Sequence, residues 1–405
     1  ASWVVSEEGF MKSQKFFDFL KLRAEWGNLG YQNNTPATGM YEEKWLGGSG
    51  TAFGPYTNNR WFGTSTETPS TAYYNKIANR NLNWETRKEF SVGLDAVMLH
   101  RRLTLNATYY NNEASGVWTR ASNKYPLATG ILAVPYTNYN KYRYYGAEIS
   151  ARYTDHIGDF RYSVMAMATL PHTKYLVYDE PQYRDVYQRR TGRSMDAIFG
   201  FVYRGRFTSD VETEVVPQLF DESLHAGDFK YEDLNNDGVV DNNDTRQIGH
   251  SAPHLYYGLN LNLSYRDFDF ILISDGRAFY DEMYTNTYFM NGWGDNNYSK
   301  YVVRNCSNPD KLPTLTYYQV ANNWKGSTFY MHKGGYFKIQ NIELAYNLPL
   351  ATSNALGVRK VRFFVRGANL LTVSGTPDVD PESFSSGIDR YPLNRTFSGG
   401  INLTF

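Results

Sequence analysis

Cysteine, an excess of charge of one sign and long apolar runs are all scarce in this 405-residue sequence. The single cysteine, Cys306, excludes a disulfide framework and a cysteine-rich zinc site. The 41 basic and 41 acidic side chains cancel. This balance argues against a nucleic-acid partner, because such proteins need a basic surplus to displace counterions. Mean hydropathy is −0.55, and no run approaches the roughly 18 apolar residues of a membrane helix. A membrane β-barrel stays possible, because its strands are apolar on one face only.

Alternation of apolar and polar residues is the main secondary-structure signal. In 256–265, for example, Leu259, Leu261 and Leu263 alternate with Asn260 and Asn262. The same period predicts about ten strands. They cover 17–29, 86–99, 101–113, 141–155, 159–170, 252–266, 268–277, 335–349, 358–372 and 395–405. A change of phase within 335–349 predicts a β-bulge near Gln340.

The connections between these strands alternate strictly between short and long. The long ones are roughly 30–85, 114–140, 171–251, 278–334 and 373–394. Compact soluble domains rarely carry loops beyond about 15 residues, whereas outer-membrane barrels place short turns on the periplasmic side and long loops outside. We therefore predict an all-β fold, an antiparallel transmembrane β-barrel with long extracellular loops.

Short motifs along nearly the whole chain resemble those of the SusC/RagA-type TonB-linked outer-membrane transporters. In order, they read LKLRAEWGNLG (20–30), NWE (83–85), GLD (93–95), RRLTLNATYY (101–110), GAE (146–148), GD (227–228), DLNNDG (233–238), NIELAYNLP (341–349), VRGANLL (365–371) and the final Phe405. The resemblance implies that 1–405 is the C-terminal portion of one barrel domain, about ten strands of a barrel of about 22. The plug and the N-terminal strands of the family have no counterpart here, and the strand-like residues 1–5 suggest a fragment.

The resemblance also implies a function and partners. It implies import of oligosaccharides or oligopeptides across the outer membrane, with this segment forming wall, lumen and loops among outer-membrane lipids. The implied partners are a SusD-type surface lipoprotein that lids the barrel, and TonB, contacted through the absent N-terminal part. Two alternatives stay open: a passive outer-membrane channel and a soluble β-rich carbohydrate-binding protein.

The segment 233–244 carries a metal-binding pattern. Oxygen-bearing side chains stand at loop positions 1, 3, 5, 9 and 12, with glycine at position 6 and a backbone carbonyl at position 7, as in the EF-hand. These residues are Asp233, Asn235, Asp237, Asp241, Asp244, Gly238 and Val239. Asp244 replaces the bidentate glutamate of the EF-hand. We expect a structural Ca²⁺ that orders the 171–251 connection; an Asx-rich turn without metal is the alternative.

The sequence contains no pattern typical of an enzyme. HExxH, G-x-S-x-G and the P-loop are absent. His250 and His254 are four residues apart but precede a strand, so the helical spacing of zinc ligands does not apply to them. We therefore predict no catalytic residue.

Two further sets of residues are candidates for contacts. Aromatic rings in the long connections can stack on sugars or on peptide side chains; Trp45, Trp61, Trp293 and Trp324 are candidates for substrate or partner contact, although packing within the loops would also explain them. In the last strand, Phe397, Ile401, Leu403 and Phe405 alternate with polar residues. We expect this strand to contact lipid and to act as an assembly signal.

Overall fold

The computed structural model describes residues 1–31, 44–48, 71–76, 78–124, 134–215, 224–286, 288–289, 299–305, 308, 310–312, 321–376, 378–386, 391 and 393–405. For 44–48 and 71–76 it describes the backbone alone. Most of the described chain is β-strand, with only short helices. None of the helices in these ranges is long and apolar enough to cross a membrane.

The strands and helices follow one another in chain order. The strands are β1 (Ser2–Val4), β2 (Phe17–Tyr31), β3 (Lys44–Gly48), β4 (Thr71–Lys76), β5 (Glu85–Met98), β6 (Leu103–Arg120), β7 (Tyr136–Ile157), β8 (Phe160–Val177), β9 (Ala197–Gly200), β10 (Tyr203–Arg206), β11 (Phe229–Tyr231), β12 (Arg246–His250), β13 (Leu255–Tyr265), β14 (Phe268–Ala278), β15 (Asp281–Met283), β16 (Met331–Lys333), β17 (Tyr336–Asn347), β18 (Lys360–Ser374) and β19 (Thr396–Thr404). The α-helices are α1 (Asp210–Val215), α2 (Lys300–Asn305) and α3 (Leu350–Ala355).

A single 11-stranded antiparallel sheet dominates the fold. Its order is β1-β2-β5-β6-β7-β8-β13-β14-β17-β18-β19, so neighbours in the sheet are also neighbours in the chain, apart from the small strands inside the connections. The all-β prediction is confirmed, and each of the ten predicted strands is present. Several are longer than predicted; β7 has 22 residues. Among the described strands, β1 and β19 form the two edges.

The short connections all lie at one end of this sheet, because successive strands are antiparallel. β5 and β6, β7 and β8, and β13 and β14 are joined by tight turns, while β17 and β18 are joined through α3. The predicted bulge in β17 is confirmed. Ile273 of β14 pairs with Asn341 and Ser274 pairs with Ile339, which leaves Gln340 as the extra residue.

The two faces of the sheet differ in chemistry. Leu261 lies between Val164 and Leu272 in register, and Leu272 lies opposite Ile342, so these apolar side chains share one face. The opposite face carries ion pairs between strands. Glu343 is buried and pairs with Arg362 and Arg366 of β18.

Candidate functional site

The long connections pack against one another at the end of the sheet opposite the tight turns. One buried cluster joins the 178–254 connection to the 279–335 connection; it contains Phe201, Phe229, Tyr231, Val240 and Tyr330. A second cluster joins 279–335 to 375–395; it contains Tyr284, Tyr288, Phe289, Tyr301, Val302, Leu312 and Phe384. These three connections therefore have hydrophobic cores of their own, which long solvated loops would not have.

Two buried asparagines fasten the first of these clusters. The Phe229 amide donates to Asn323 Oδ1 at 2.8 Å, and Asn322 Nδ2 donates to the Phe229 carbonyl at 2.8 Å. The neighbouring Trp324 stacks on Tyr330, with ring centroids 6.4 Å apart. Tyr330 lies in the same connection, so the ring packs within the loops, against the cluster that joins 279–335 to 178–254; this is the alternative that the sequence left open.

The three other candidate tryptophans are Trp45, Trp61 and Trp293. Trp45 lies in β3, whose backbone alone is described. Trp61 and Trp293 lie outside the described residues. Their contact with a substrate or partner stays a prediction.

A cavity of about 510 Å³ opens between the same three connections. Its lining includes Tyr280 and Asp281 of one connection, Ser251 of another, and Glu382 and Phe384 of the third. Apolar rings and carboxylates therefore face one space, a combination suited to a ligand that has both apolar faces and hydrogen-bonding groups.

Buried charges lie next to this cavity. Thr376 Oγ1 donates to Glu282 Oε2 at 2.8 Å, and burial raises the pKa of Glu282 to about 7. Lys338 Nζ, fully buried at the base of the connections, lies 3.1 Å from Glu382 Oε2 and 3.6 Å from Asp380 Oδ2. The sequence pattern did not indicate these buried groups, because each pair comes from segments far apart in the chain.

Hydrogen bonds of the loop's own amides shape the 233–244 segment. The Gly238 amide donates to Asp233 Oδ2 at 2.9 Å, and the Val239 amide donates to Asp237 Oδ1 at 3.0 Å. Gly238 has a φ of 88°, a conformation that glycine adopts without steric cost. The loop therefore takes the sharp turn that the pattern predicts at position 6.

Asp244 closes this loop from the inside. Its side chain is fully buried, with Oδ1 accepting from the Leu234 amide at 2.7 Å and Oδ2 accepting from the Asp241 amide at 2.8 Å. Burial raises the pKa of Asp244, although the amide hydrogen bonds act in the opposite direction. Nearby, Asp233 Oδ1 is buried without a hydrogen-bond partner in the part of the chain that the structure describes.

A cation would suit this loop electrostatically. Burial, together with the negative charges of Asp185, Asp244 and Asp233, raises the pKa of the adjacent Tyr187 to about 12. Asn235 Nδ2 and Asn243 Nδ2, in contrast, donate to the carboxylates of Asp237 and Asp241. The four aspartates of the loop thus accept from amides of the same loop, and no three of their carboxylates converge within 4.8 Å in the described structure. Val240 anchors the loop in the buried cluster.

A different group of potential metal ligands converges at the base of the 178–254 connection. Ligand atoms of Asp196, His250 and His254 lie within 4.8 Å of one another, and no other such group of three occurs among the described residues. The sequence singled out His250 and His254 but not Asp196, which is more than fifty residues earlier. The register of β12 against β9 brings them together, because His250 pairs with Ala197.

The final strand is exposed along almost its whole length, with only Gly400 half-buried. Phe397, Ile401, Leu403 and Phe405 are all exposed, with Phe397 75% and Phe405 86% accessible. They project from one face of β19 at the sheet edge, except that Phe405 follows the last strand residue. Their role in assembly stays a prediction.

Comparison with known proteins bears on this arrangement of strands. No protein-family model matches the chain. The TonB-dependent receptor P26 of Formosa agariphila is 26% identical over 436 residues, a match that covers 100% of this chain and 42% of that protein. The TonB-dependent receptor SusC of Bacteroides thetaiotaomicron is 25% identical over 426 residues and is covered to 39%, again with 100% of this chain. The chain therefore spans about two-fifths of the length of these relatives.

Solved structures of transporters have the same fold as this chain over part of their length. A structure of the RagAB peptide transporter superposes with a TM-score of 0.71 at 16% identity, covering 100% of this chain and 43% of that one. The RagAB peptide importer in its "open-open" state superposes with a TM-score of 0.72 at 16% identity, covering 100% of this chain and 42% of that one. The predicted resemblance to part of a SusC/RagA-type TonB-linked transporter is confirmed.

Proposed function

We propose that this chain, which resembles SusC/RagA-type TonB-linked transporters along its whole length, forms barrel wall and extracellular loops of an outer-membrane nutrient importer. The observation that carries the proposal has two parts. The whole of this chain is similar to part of TonB-dependent receptors, and its antiparallel strands have short and long connections that alternate. Outer-membrane barrels have this asymmetry. A passive channel or a soluble carbohydrate-binding protein would not account for the similarity to TonB-dependent receptors.

The substrate in this proposal is an oligosaccharide or an oligopeptide. The cavity of about 510 Å³ between three long connections supports this class, because tyrosine and phenylalanine rings lie there beside carboxylates. In this proposal TonB transmits the energy for import, through contact with a plug on another part of the protein. This chain contributes the walls and the outer ends of the path.

A SusD-type surface lipoprotein is the proposed partner at the long-connection end. The buried clusters there give the connections a defined shape, which a protein partner needs as a docking surface. One of the superposed structures is that of the RagAB peptide transporter. Its two-part name is in keeping with a transporter that works with a partner.

A structural Ca²⁺ in the 233–244 loop is a further part of the proposal. Asp233, Asn235, Asp237, Asp241 and Asp244 would supply side-chain oxygens, and Val239 its carbonyl. The buried, unpartnered Asp233 Oδ1 supports this assignment. The ion would neutralise the carboxylates and hold the turn against the cluster that contains Val240.

The proposed import is tested by uptake in the native host. Cells that carry or lack the full-length gene are given fluorescent oligosaccharides or oligopeptides, with and without a protonophore. We expect uptake of one of the two classes to require both the gene and the proton gradient, because TonB transmits energy from the inner membrane. Protonophore-resistant uptake would identify a passive channel instead, and equal uptake in cells lacking the gene would contradict a role in import.

A further inference from the structure

We propose that Asp196, His250 and His254 form a Zn²⁺ site that fastens the two ends of the 178–254 connection. Asp196 directly precedes β9, His250 ends β12, and His254 directly precedes β13. A shared ion would therefore join the first small strand of the connection to its last strand and to the start of the main-sheet strand β13.

The distances suit ligation by one ion. His254 Nε2 lies 3.0 Å and His250 Nδ1 lies 3.4 Å from the same oxygen, Asp196 Oδ2. Zinc bonds of about 2.0–2.2 Å in a tetrahedron separate neighbouring ligand atoms by about 3.3–3.6 Å. Small side-chain adjustments would thus admit the ion without a change in the backbone.

Neighbouring groups leave these atoms directed at one point. Ser194 Oγ donates to Asp196 Oδ1, while Oδ2 faces the two imidazoles and also accepts a long hydrogen bond from the Ala252 amide at 3.4 Å. His250 Nδ1 is buried but makes no hydrogen bond in the described structure, despite its position near Asp196. The other nitrogen of the ring, Nε2, lies 3.2 Å from Gln247 Nε2. A ring that binds a metal through Nδ1 carries its proton on Nε2, so ligation would require the Gln247 amide to turn its oxygen from Arg193 to Nε2–H.

The backbone around the three ligands is already held in place. The Ser251 amide donates to the Asp196 carbonyl at 2.8 Å, and the His250 amide donates to Asp281 Oδ2 at 3.1 Å. The His254 ring packs edge-on against His172, with centroids 4.8 Å apart. Since the ligand side chains are only 12–33% exposed, little conformational freedom remains to be lost on binding.

Two imidazoles and one carboxylate favour Zn²⁺ over Ca²⁺ or Mg²⁺. Calcium and magnesium select oxygen ligands, whereas imidazole nitrogen suits zinc and its transition-metal neighbours. Three protein ligands leave a fourth position for water. The site is therefore chemically distinct from the all-oxygen 233–244 loop on the same connection.

The test uses the full-length protein in detergent, stripped with a chelator and dialysed against micromolar ZnCl₂ in excess CaCl₂. The calcium keeps zinc out of the carboxylate-rich loop. We expect one zinc per chain by elemental mass spectrometry. We expect at least tenfold weaker zinc binding in His254→Phe and Asp196→Asn, because the first removes a ligand nitrogen and the second removes the negative charge of a ligand. Phenylalanine keeps the planar ring and asparagine keeps the side-chain volume, so both variants should fold.

The matched control is His225→Phe. His225 Nδ1 also faces a carboxylate, Asp210 Oδ1 at 3.8 Å, but this pair is not part of a three-ligand group. Zinc content should stay unchanged in this variant. Heat-modifiable migration verifies folding of each variant, and hydrogen exchange of 246–254 should slow on zinc addition in the unmodified protein. Zinc-free protein after dialysis, or equal zinc in all folded variants, would overturn the proposal.

Discussion

At the scale of single residues, Asp237 provides a test of the proposed calcium site in the 233–244 loop. Its carboxylate is exposed and accepts from the Val239 amide and Asn235 Nδ2, and it occupies position 5 of the loop pattern. Asp237→Ala removes one oxygen ligand and one negative charge. We expect Ca²⁺ affinity to fall at least tenfold, or about 1.4 kcal/mol, measured by calorimetric titration of the full-length protein in detergent.

Glu232→Ala is the control for this loss of charge. Glu232 is adjacent to the loop in sequence but pairs with Arg204 and has no place in the ligand pattern. Its removal should change Ca²⁺ affinity by less than about twofold, since a screened charge outside the ligand set contributes little. Equal weakening in both variants would indicate a general electrostatic effect, and no binding by the unmodified protein would leave the loop an Asx-rich turn.

At the scale of strands, the sequence predicted existence and order better than it predicted length. Period-two alternation identified all ten long strands, and the phase change in 335–349 located the bulge at Gln340. β7 and β8 extend beyond the predicted limits. Residues 136–140 of β7 pair with β6, and residues 171–177 of β8 pair with β7, through backbone hydrogen bonds that need no apolar pattern.

The candidate sites were only partly predictable for a related reason. The ligands of the 233–244 loop are local, so their spacing was visible in the sequence. Asp196 joins His250 and His254 only through the pairing of β9 with β12. Likewise, Trp324 packs against a cluster that forms only when the 178–254 and 279–335 connections fold together. Contacts of this kind leave no periodic trace in a single sequence.

The two faces of β13 should respond differently to a buried charge. Leu261 shares its face with Val164 and Leu272. Asn262 is on the other face, because it lies opposite Ile271, which in turn lies opposite Glu343. If the apolar face contacts lipid, Leu261→Arg should lower the free energy of unfolding by about 2–4 kcal/mol at mid-membrane. Asn262→Arg should have a mild effect, because that face is polar.

Urea unfolding of the full-length protein in lipid vesicles measures both changes in free energy. The two variants introduce the same side chain at neighbouring positions of one strand. The strand propensity of the new residue and the change in net charge are therefore the same in both. Equal destabilisation by the two substitutions would contradict a lipid-facing apolar side. A larger loss at Asn262 would reverse the assignment of the faces.

At the scale of the whole molecule, the alternation of connections predicts a direction for the chain across the outer membrane, if it spans the membrane as proposed. Val186 lies in the 178–254 connection and is 67% exposed, whereas Leu356 follows α3 at the opposite end of the sheet and is 64% exposed. Single cysteines at these two positions, in full-length protein with Cys306→Ser, therefore probe the two ends at matched accessibility. A membrane-impermeant maleimide should label Val186→Cys in intact cells, because long connections of outer-membrane barrels face outward. It should label Leu356→Cys only after the outer membrane is permeabilised. Equal labelling of both in intact cells would contradict a spanning sheet, and the reverse pattern would mean that the long connections face the periplasm.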